Sequence, residues 1–544
     1  MFNVPGLSVS GFDSLFPRLE AVLSSFARDR VVPRIWARDP TVWKRRDEET
    51  ARRLGWLAAP EAAAASLAEF EDFRRELAGE GFSHALLLGM GGSSLAPEVF
   101  GRIFGPAAGG LELRVLDSTD PEAVLGQVES LPWERTIFIV SSKSGTTLET
   151  TSFLKYFYVA LARRFGEDRA GRHFAAITDP DTRLEDIATA LRFRRVFRGD
   201  PEIGGRFSAL SPFGLVPAAL LGCDLRRFLA SAVETAAACR NDSPPANPGA
   251  VLGALLGVAA LAGRDQCVLL LPPAIAAFGA WIEQLLAEST GKDGRGILPL
   301  VRFDARRVEP FAGRLIGVRI ELAGDRKSEG TLARLAGAGV PIAKLEIPGP
   351  EGLGGQFFLW EMATAVAGRI LEINPFDQPN VAASKKRTEA ALKAVREKGR
   401  TAAGPEFGTW DADEFAILAC DADYIVIQAF VPPTPENARA LSALAARLQK
   451  RTGRPATFDF GPRFLHSTGQ LHKGDAGRGL FLQLCARHHR DAAVPDATDG
   501  ESSATTFGTL IDAQARGDRE ALEEKDRRAM SVRLEALPSG IEAL

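Results

Sequence analysis

The residues best suited to chemistry begin with Phe138-Ile-Val-Ser-Ser-Lys-Ser-Gly-Thr-Thr-Leu-Glu149. The apolar run Thr136–Val140 turns into Ser141, Ser142, Ser144, Thr146 and Thr147 around Gly145, and a helical pattern follows from about Leu148 to Ala162. A strand, a hydroxyl-rich loop and a helix N-terminus make an anion site, because free backbone N–H groups and the positive end of the helix dipole point into the loop. The plain alternative is a Ser/Thr-rich turn that only caps the helix. No Lys-Ser/Thr pair follows the glycine, so a monophosphate fits better than a nucleotide. Gly89-Met-Gly-Gly-Ser-Ser-Leu-Ala-Pro97 is a second loop after a strand. It lacks the dinucleotide spacing and offers instead a second backbone wall, through Gly92 and Ser93, for a sugar phosphate.

Four further stretches carry reactive groups. Gly204-Gly-Arg206 lets the backbone approach a ligand closely while a permanently charged guanidinium reaches an oxyanion, a phosphate or an enediolate. Glu288-Ser-Thr-Gly-Lys-Asp-Gly-Arg-Gly296 puts a carboxylate where a helix meets a glycine loop, and burial in a cleft would suit it to work as a base. Asn374-Pro-Phe-Asp-Gln-Pro-Asn-Val-Ala-Ala-Ser-Lys385 is a turn opening a helix, which brings Gln378 and Lys385 toward one place. Leu465-His-Ser-Thr-Gly-Gln470 holds His466, one of six histidines. For each the plain alternative is a surface salt bridge, a cap, an exposed ammonium or a loop imidazole. His488-His489 has no partners at ligand spacing, so no metal is assigned.

The elements that must position these groups follow an alternating rhythm. With 544 residues the chain exceeds one ordinary core. Residues 1–78 read as an N-terminal helical segment. Strands at Ala85–Leu88, Leu111–Leu116, 136–140 and Phe174–Asp179, separated by helices, predict a doubly wound parallel sheet over 79–246, with ligands beyond the strands' carboxyl ends. A second α/β block spans 247–400, and Lys398–Pro405 reads as a linker. The tail, 401–544, is an α/β extension completing the second domain. It echoes the block before it: Leu315–Glu321 resembles Tyr424–Phe430, and Val340–Glu346 resembles Arg454–Phe460. A Gly-Pro and then a Gly-Gln follow each. Arg516–Arg533 reads as an exposed amphipathic helix.

The 66 basic and 69 acidic side chains nearly cancel, which argues against a nucleic-acid or membrane-surface binder. Five scattered cysteines form no framework, and the N-terminus has no apolar signal region, so a reducing cytoplasm is expected. Ala250–Ala262 is apolar but too short to span a bilayer, and predicts a buried helix.

Together these motifs resemble the phosphoglucose isomerase family over most of residues 30–400. Gly204-Gly-Arg-Phe-Ser208 fits its first signature and Phe376-Asp-Gln…Val381…Lys385 its second, with departures at Asn380 and Ala382. The resemblance implies two αβα sugar-isomerase (SIS) domains in a cytoplasmic homodimer with sites at the interface, and isomerisation of D-glucose 6-phosphate to D-fructose 6-phosphate without metal or cofactor. It also implies that Ser142, Ser144, Thr146 and Thr147 hold the phosphate, with Lys143, Gly92 and Ser93 also binding the substrate. Arg206 would then stabilise the enediolate, Gln378 would line the site, and Lys385 with a histidine would open the ring. The base is Glu288 by the short members' Glu-Ser-x-Gly-Lys motif, with Glu351 as the alternative. In short members a Leu-His-Ser-x-Gly-Gln motif follows soon after that loop. Here the place reads Phe303–Glu309 without histidine, and the motif stands in the tail, as in transaldolase–phosphoglucose isomerase fusions. His466, in this subunit or its mate, is the expected ring-opening group. Two rival readings are a bifunctional phosphoglucose/phosphomannose isomerase and a non-catalytic sugar-phosphate sensor.

Overall fold

The computed structural model describes residues 4–43, 48–324, 329–398, 405–500 and 502–544, and most of the expected linker at 398–405 lies outside them. The N-terminal segment is not wholly helical: Leu7–Ser10 forms a strand, β1. Its four residues are too few for alternation to announce a strand, and it exists because it finds a partner far along the chain.

The first unit is a five-stranded parallel sheet of β2 (His84–Gly89), β3 (Glu112–Leu116), β4 (Thr136–Ser141), β5 (Phe174–Thr178) and β6 (Arg195–Arg198), in the order β3-β2-β4-β5-β6. Helices cover both faces, which is why β4 is buried at every position and reads as a continuous apolar run rather than an alternating one. The second unit has β7 (Gln266–Leu270), β8 (Leu298–Leu300), β9 (Leu315–Leu322) and β10 (Ile342–Ile347), ordered β1-β10-β9-β7-β8, with β1 antiparallel on the edge. The apolar stretch expected to be a buried helix is one, Pro248–Leu261. Gly249, Gly253 and Gly257 recur once per turn on the face that meets helix Leu353–Ile370. A Cβ there would come within 2.4, 2.5 and 2.9 Å of Met362, Ala363 and Ile370, so the close packing of the two helices depends on the lack of side chains at these positions.

The tail builds a third parallel sheet from β11 (Tyr424–Phe430), β12 (Ala456–Phe460), β13 (Gly479–Ala486) and, after a small antiparallel pair β14 (Ala493–Val494) and β15 (Thr505–Thr506), β16 (Arg528–Leu534). The order is β12-β11-β13-β16, a sheet separate from that of the second unit. The segment expected to be one helix over 516–533 is instead the end of helix Phe507–Glu523 and then β16. The left-handed turn at Asp526 (φ 54°) breaks it, and β13 supplies a ladder for the residues beyond. The tail shares a core with the second unit: Val268, Leu270 and Val308 pack with Tyr424, Val426 and Phe481. Among the described residues no helix is long and apolar enough to cross a membrane.

A buried ionic network ties all three units. Arg463 of the tail pairs with Glu98 and lies 3.5 Å from Asp117, both in the first unit. Arg302 of the second unit meets Asp459 at 3.1 Å and Glu283 at 3.8 Å. Burial pushes the Glu283 carboxyl up to about 8, with Asp459 adding to the effect. Burial also raises Asp117, whereas at Glu98 burial is opposed by the charge and hydrogen bond of Arg463, with Arg102 and Arg302, and together these hold the carboxyl below its ordinary range. Removing one member strands buried charge. Arg463→Met should therefore lower unfolding stability by about 3 kcal/mol in urea titrations, with part of it recovered when Glu98→Gln and Asp117→Asn are added. An unaffected single variant would show that the network does not hold the units together.

Candidate active site

At the carboxyl end of β4 the chain turns through Ser142–Thr147 and enters helix Leu148–Phe165. Thr147 is the N-cap and makes no side-chain capping bond, so the first-turn N–H groups face the loop. The hydroxyls are arranged in pairs: Ser142 Oγ lies 3.0 Å from Thr147 Oγ1, and Ser144 Oγ 3.1 Å from Thr146 Oγ1. Gly145 has φ 67° and sits so close to Thr182 and Leu184 that a Cβ would come within 2.8 Å of each. Lys143 lines the cavity, yet its Nζ donates to both Asp179 oxygens at 2.7 and 2.6 Å and to the Asp200 carbonyl at 2.7 Å. Its charge is matched within the wall, and burial pushes Lys143 down and Asp179 up.

The second loop, Gly91–Ser93, is a single 3-10 turn after β2. A Cβ on Gly92 would stand 2.0 Å from the Gly205 carbonyl oxygen, so this loop and the Gly204-Gly-Arg206 loop touch backbone to backbone. That contact delivers Arg206. Its side chain is 2% exposed. Nε donates to Ser289 Oγ at 2.7 Å, Nη1 to Gln378 Oε1 at 3.0 Å, and Nη2 to the carbonyls of Pro375 at 2.6 Å and Asp377 at 3.0 Å. Nη1 also lies 3.3 Å from Glu288 Oε1. Burial disfavours the cation, and the Glu288 charge opposes that effect.

Glu288, 5% exposed, ends the buried helix Phe278–Thr290. One turn earlier on the same face, Gln284 Nε2 donates to Glu288 Oε2 at 3.1 Å and to the His466 carbonyl at 2.8 Å. His466 thus reaches the cavity from the tail. Its Nε2 lies 2.9 Å from Glu149 Oε1. Burial alone would raise the Glu149 carboxyl, but the His466 charge and hydrogen bond, helped by Lys385, hold it down to about 2. Gln470 of the same tail motif donates Nε2 to the Gly291 carbonyl at 2.9 Å and accepts from Asn380 N at 2.9 Å, so it staples the loop after Glu288 to the start of helix Pro379–Lys398. Lys385, exposed on that helix, lines both the main cavity and a smaller neighbour of about 110 Å³.

These groups surround one cavity of about 280 Å³. Gly92, Ser93, Lys143, Ser144, Thr147, Arg206, Glu288, Gln378, Lys385 and His466 line it, Thr146 lines the neighbour, and Ser142 is buried behind Thr147. Glu351, the alternative base, is exposed in the turn Pro350–Gly352 and is not among the lining residues. Sequence reasoning missed Glu49, Arg53, Asp179 and Gln284, which also line the cavity, and it missed Lys292. Lys292 Nζ donates to the Asn374 carbonyl at 2.6 Å and to Asp377 Oδ1 at 2.7 Å, fixing the turn that presents Gln378. Burial, with Arg206 nearby, pushes its ammonium down to about 7. The lysine that closes Glu-Ser-x-Gly-Lys was its only signal.

Paired αβα units around one cavity, lined by a hydroxyl-rich loop and by Arg206, Glu288 and His466, define a sugar-isomerase-domain protein. The phosphoglucose isomerase family model matches residues 72–297. The glucose-6-phosphate isomerase of Rubrobacter xylanophilus is 30% identical over 368 residues, covering 58% of this chain and 83% of that protein. That of Thermus thermophilus is 30% identical over 393 residues, covering 63% and 91%. Among solved structures, a hypothetical protein from Thermus thermophilus superposes with TM-score 0.59 at 25% identity over 71% of this chain and 99% of that one. A glucose-6-phosphate isomerase from Chlamydia trachomatis shares the fold with TM-score 0.55 at 20% identity, over 70% and 86%. The chain belongs to the phosphoglucose isomerase family.

The contact between the two glycine loops is a sharp test of how the cavity is built. Gly92→Ala should push the Arg206 loop away and lower kcat/KM about a hundredfold, the scale of an ångström-sized displacement of a reacting group. Gly205→Ala, where a Cβ meets nothing within 4 Å, should be far milder on folding and on activity. Thermal unfolding and steady-state kinetics on both variants measure the difference. Equal effects would show that the loop contact is not what positions Arg206.

Proposed function

We propose that the chain is a glucose-6-phosphate isomerase, interconverting D-glucose 6-phosphate and D-fructose 6-phosphate through a cis-enediol(ate). The observation that carries this reading is that Glu288, Arg206 and His466 line the same cavity as Lys143, Ser144 and Thr147 of the anion loop. A sensor of sugar phosphates would need the loop without that cluster.

In this mechanism the loop hydroxyls and helix N-terminus hold the phosphate. Ring opening takes a proton from the O1 hydroxyl and delivers one to the ring oxygen, leaving no net change. Because Glu149 engages Nε2 of His466 as an acceptor, Nδ1 is the nitrogen left to exchange that proton, with Lys385 at the rim. Glu288 then removes the C2 proton. The C–H electron pair becomes the C1=C2 bond, and charge develops on O1, where the Arg206 guanidinium stabilises it. Passage of the O2 proton to O1 and return of the proton from Glu288 to C1 give the ketose. Proton transfers alone suffice. Within this reading the 401–544 extension completes the second domain by supplying His466, the enzyme works in the cytoplasm as a homodimer, and each site is completed within its own chain.

Purified protein should form fructose 6-phosphate from glucose 6-phosphate in a coupled assay, and Glu288→Gln should abolish exchange of the C2 proton with solvent while phosphate binding persists. Glu351→Gln should be nearly silent. No conversion by the wild type would overturn the activity, and reversed outcomes in the two variants would move the base to Glu351.

Because Arg206 and His466 line the same cavity of one chain, mixing Arg206→Ala with His466→Ala and refolding them together should restore no activity on glucose 6-phosphate. Recovered activity would mean that subunits exchange the histidine.

A further inference from the structure

The carboxylate that holds His466 is itself held from the tail. Gln514, 1% exposed on helix Phe507–Glu523, donates Nε2 to Glu149 Oε1 at 2.7 Å, the same oxygen that meets His466. Its own Oε1 accepts the Thr119 hydroxyl at 2.6 Å, and Thr119 is fully buried just beyond β3. An ionised carboxylate only accepts, so the amide must turn its NH₂ to Glu149 and its carbonyl to Thr119, whose hydroxyl must then donate. The direction of each bond follows from the one before it. The helix that carries Gln514 is anchored next door, where Gln483 Nε2 of β13 donates to the Ala515 carbonyl at 3.1 Å.

Resting on the reading of His466 as the ring-opening group, we propose that Gln514, locked by Thr119, is a positioning residue that orients Glu149 and so fixes the tautomer and aim of His466. Neither Gln514 nor Thr119 lines the main cavity; Gln514 reaches only the smaller neighbour. Their hydrogen-bonded route to the main cavity runs through Glu149 and the imidazole. Proton abstraction by Glu288 does not pass through them, because the link between Glu288 and the histidine runs through Gln284 and the His466 backbone carbonyl. Buried and joined end to end, the Thr119–Gln514–Glu149–His466 chain gives the imidazole one geometry, where a solvated histidine would sample several.

Full-length Gln514→Leu, Gln514→Glu, Thr119→Val and Thr119→Ser would be compared on glucose 6-phosphate and on a 4,5-dideoxyhexose 6-phosphate, which has no hydroxyl placed to close a ring. Gln514→Leu should lower kcat on glucose 6-phosphate about tenfold with little change in KM, the usual scale for an outer hydrogen-bond partner, and the loss on the open-chain sugar should be markedly smaller. Gln514→Glu sets a second carboxyl against Glu149, and the two must share a proton. The kcat/KM profile on glucose 6-phosphate should gain an ionisation that is missing from the wild type and from the open-chain reaction. Thr119→Val should act in the same direction more weakly, and Thr119→Ser should restore activity. Equal losses on both sugars, or an unchanged pH profile for Gln514→Glu, would overturn the proposal. His466→Ala separates the two levels: full ring-sugar activity there removes the histidine from ring opening, whereas a selective loss there with silent Gln514 variants removes Gln514 alone.

Discussion

A guanidinium taken almost wholly out of water is the constraint around which this protein is arranged. Arg206 cannot shed its charge, so each N–H that leaves solvent needs an acceptor. Those acceptors come from distant parts of the chain: Ser289 and Glu288 at the end of one helix, and Pro375, Asp377 and Gln378 in the turn before another. To satisfy the cation the first and second units must close on each other, and closing them forms the cavity. The cost of burying the charge also limits the neighbours. Lys292, a second cation in the same wall, is pushed toward its neutral form and is tied to three acceptors of the Asn374–Asp377 turn.

Much of this was legible in the sequence because the relevant signals are local. Strands buried on both faces read as apolar runs, and loops at their carboxyl ends declare themselves through glycines and hydroxyls, as at Gly91–Ser93 and Ser142–Thr147. What was illegible depends on partners far away. Lys143 stands inside the anion loop, and nothing in the sequence says that Asp179 takes its ammonium. Glu149 was in plain view in the first turn of its helix, but its role depends on His466, 317 positions on, and on Gln514, 365 positions on. β1 is a strand only because β10 offers an edge.

The tail illustrates how a polar interior can be tolerated. Asp459, Gln428, Gln483 and Ser531 lie in register across its four strands. A buried polar row is costly unless each group is partnered. Several are: Ser531 donates to Gln483 at 3.0 Å, Gln483 donates to the helix that carries Gln514, and Asp459 pairs with Arg302 of the second unit. The row therefore fixes the register of the sheet against its helix and its neighbour, which apolar side chains of similar size would do with less directional preference.

The internal echo sets His466 in a local setting that the chain also builds once earlier. In both repeats two parallel strands joined through a helix, β9 with β10 and β11 with β12, are followed by Gly-Pro and a short 3-10 turn leading into a helix. Glu351 occupies that turn in the first copy and His466 in the second. The turns are alike locally but face different surroundings. The first lies against Ser231 on the outside of the molecule, with Glu351 in solvent. The second is clamped between Arg463, held by Glu98 and Asp117, and Gln470, bound to Gly291 and Asn380. Those two anchors, one on each side of His466, aim its backbone carbonyl at Gln284 and its ring at Glu149. A repeated supersecondary unit thus supplies a cavity-lining side chain in one copy and a surface turn in the other, and the difference lies in the ionic and amide contacts that flank the turn.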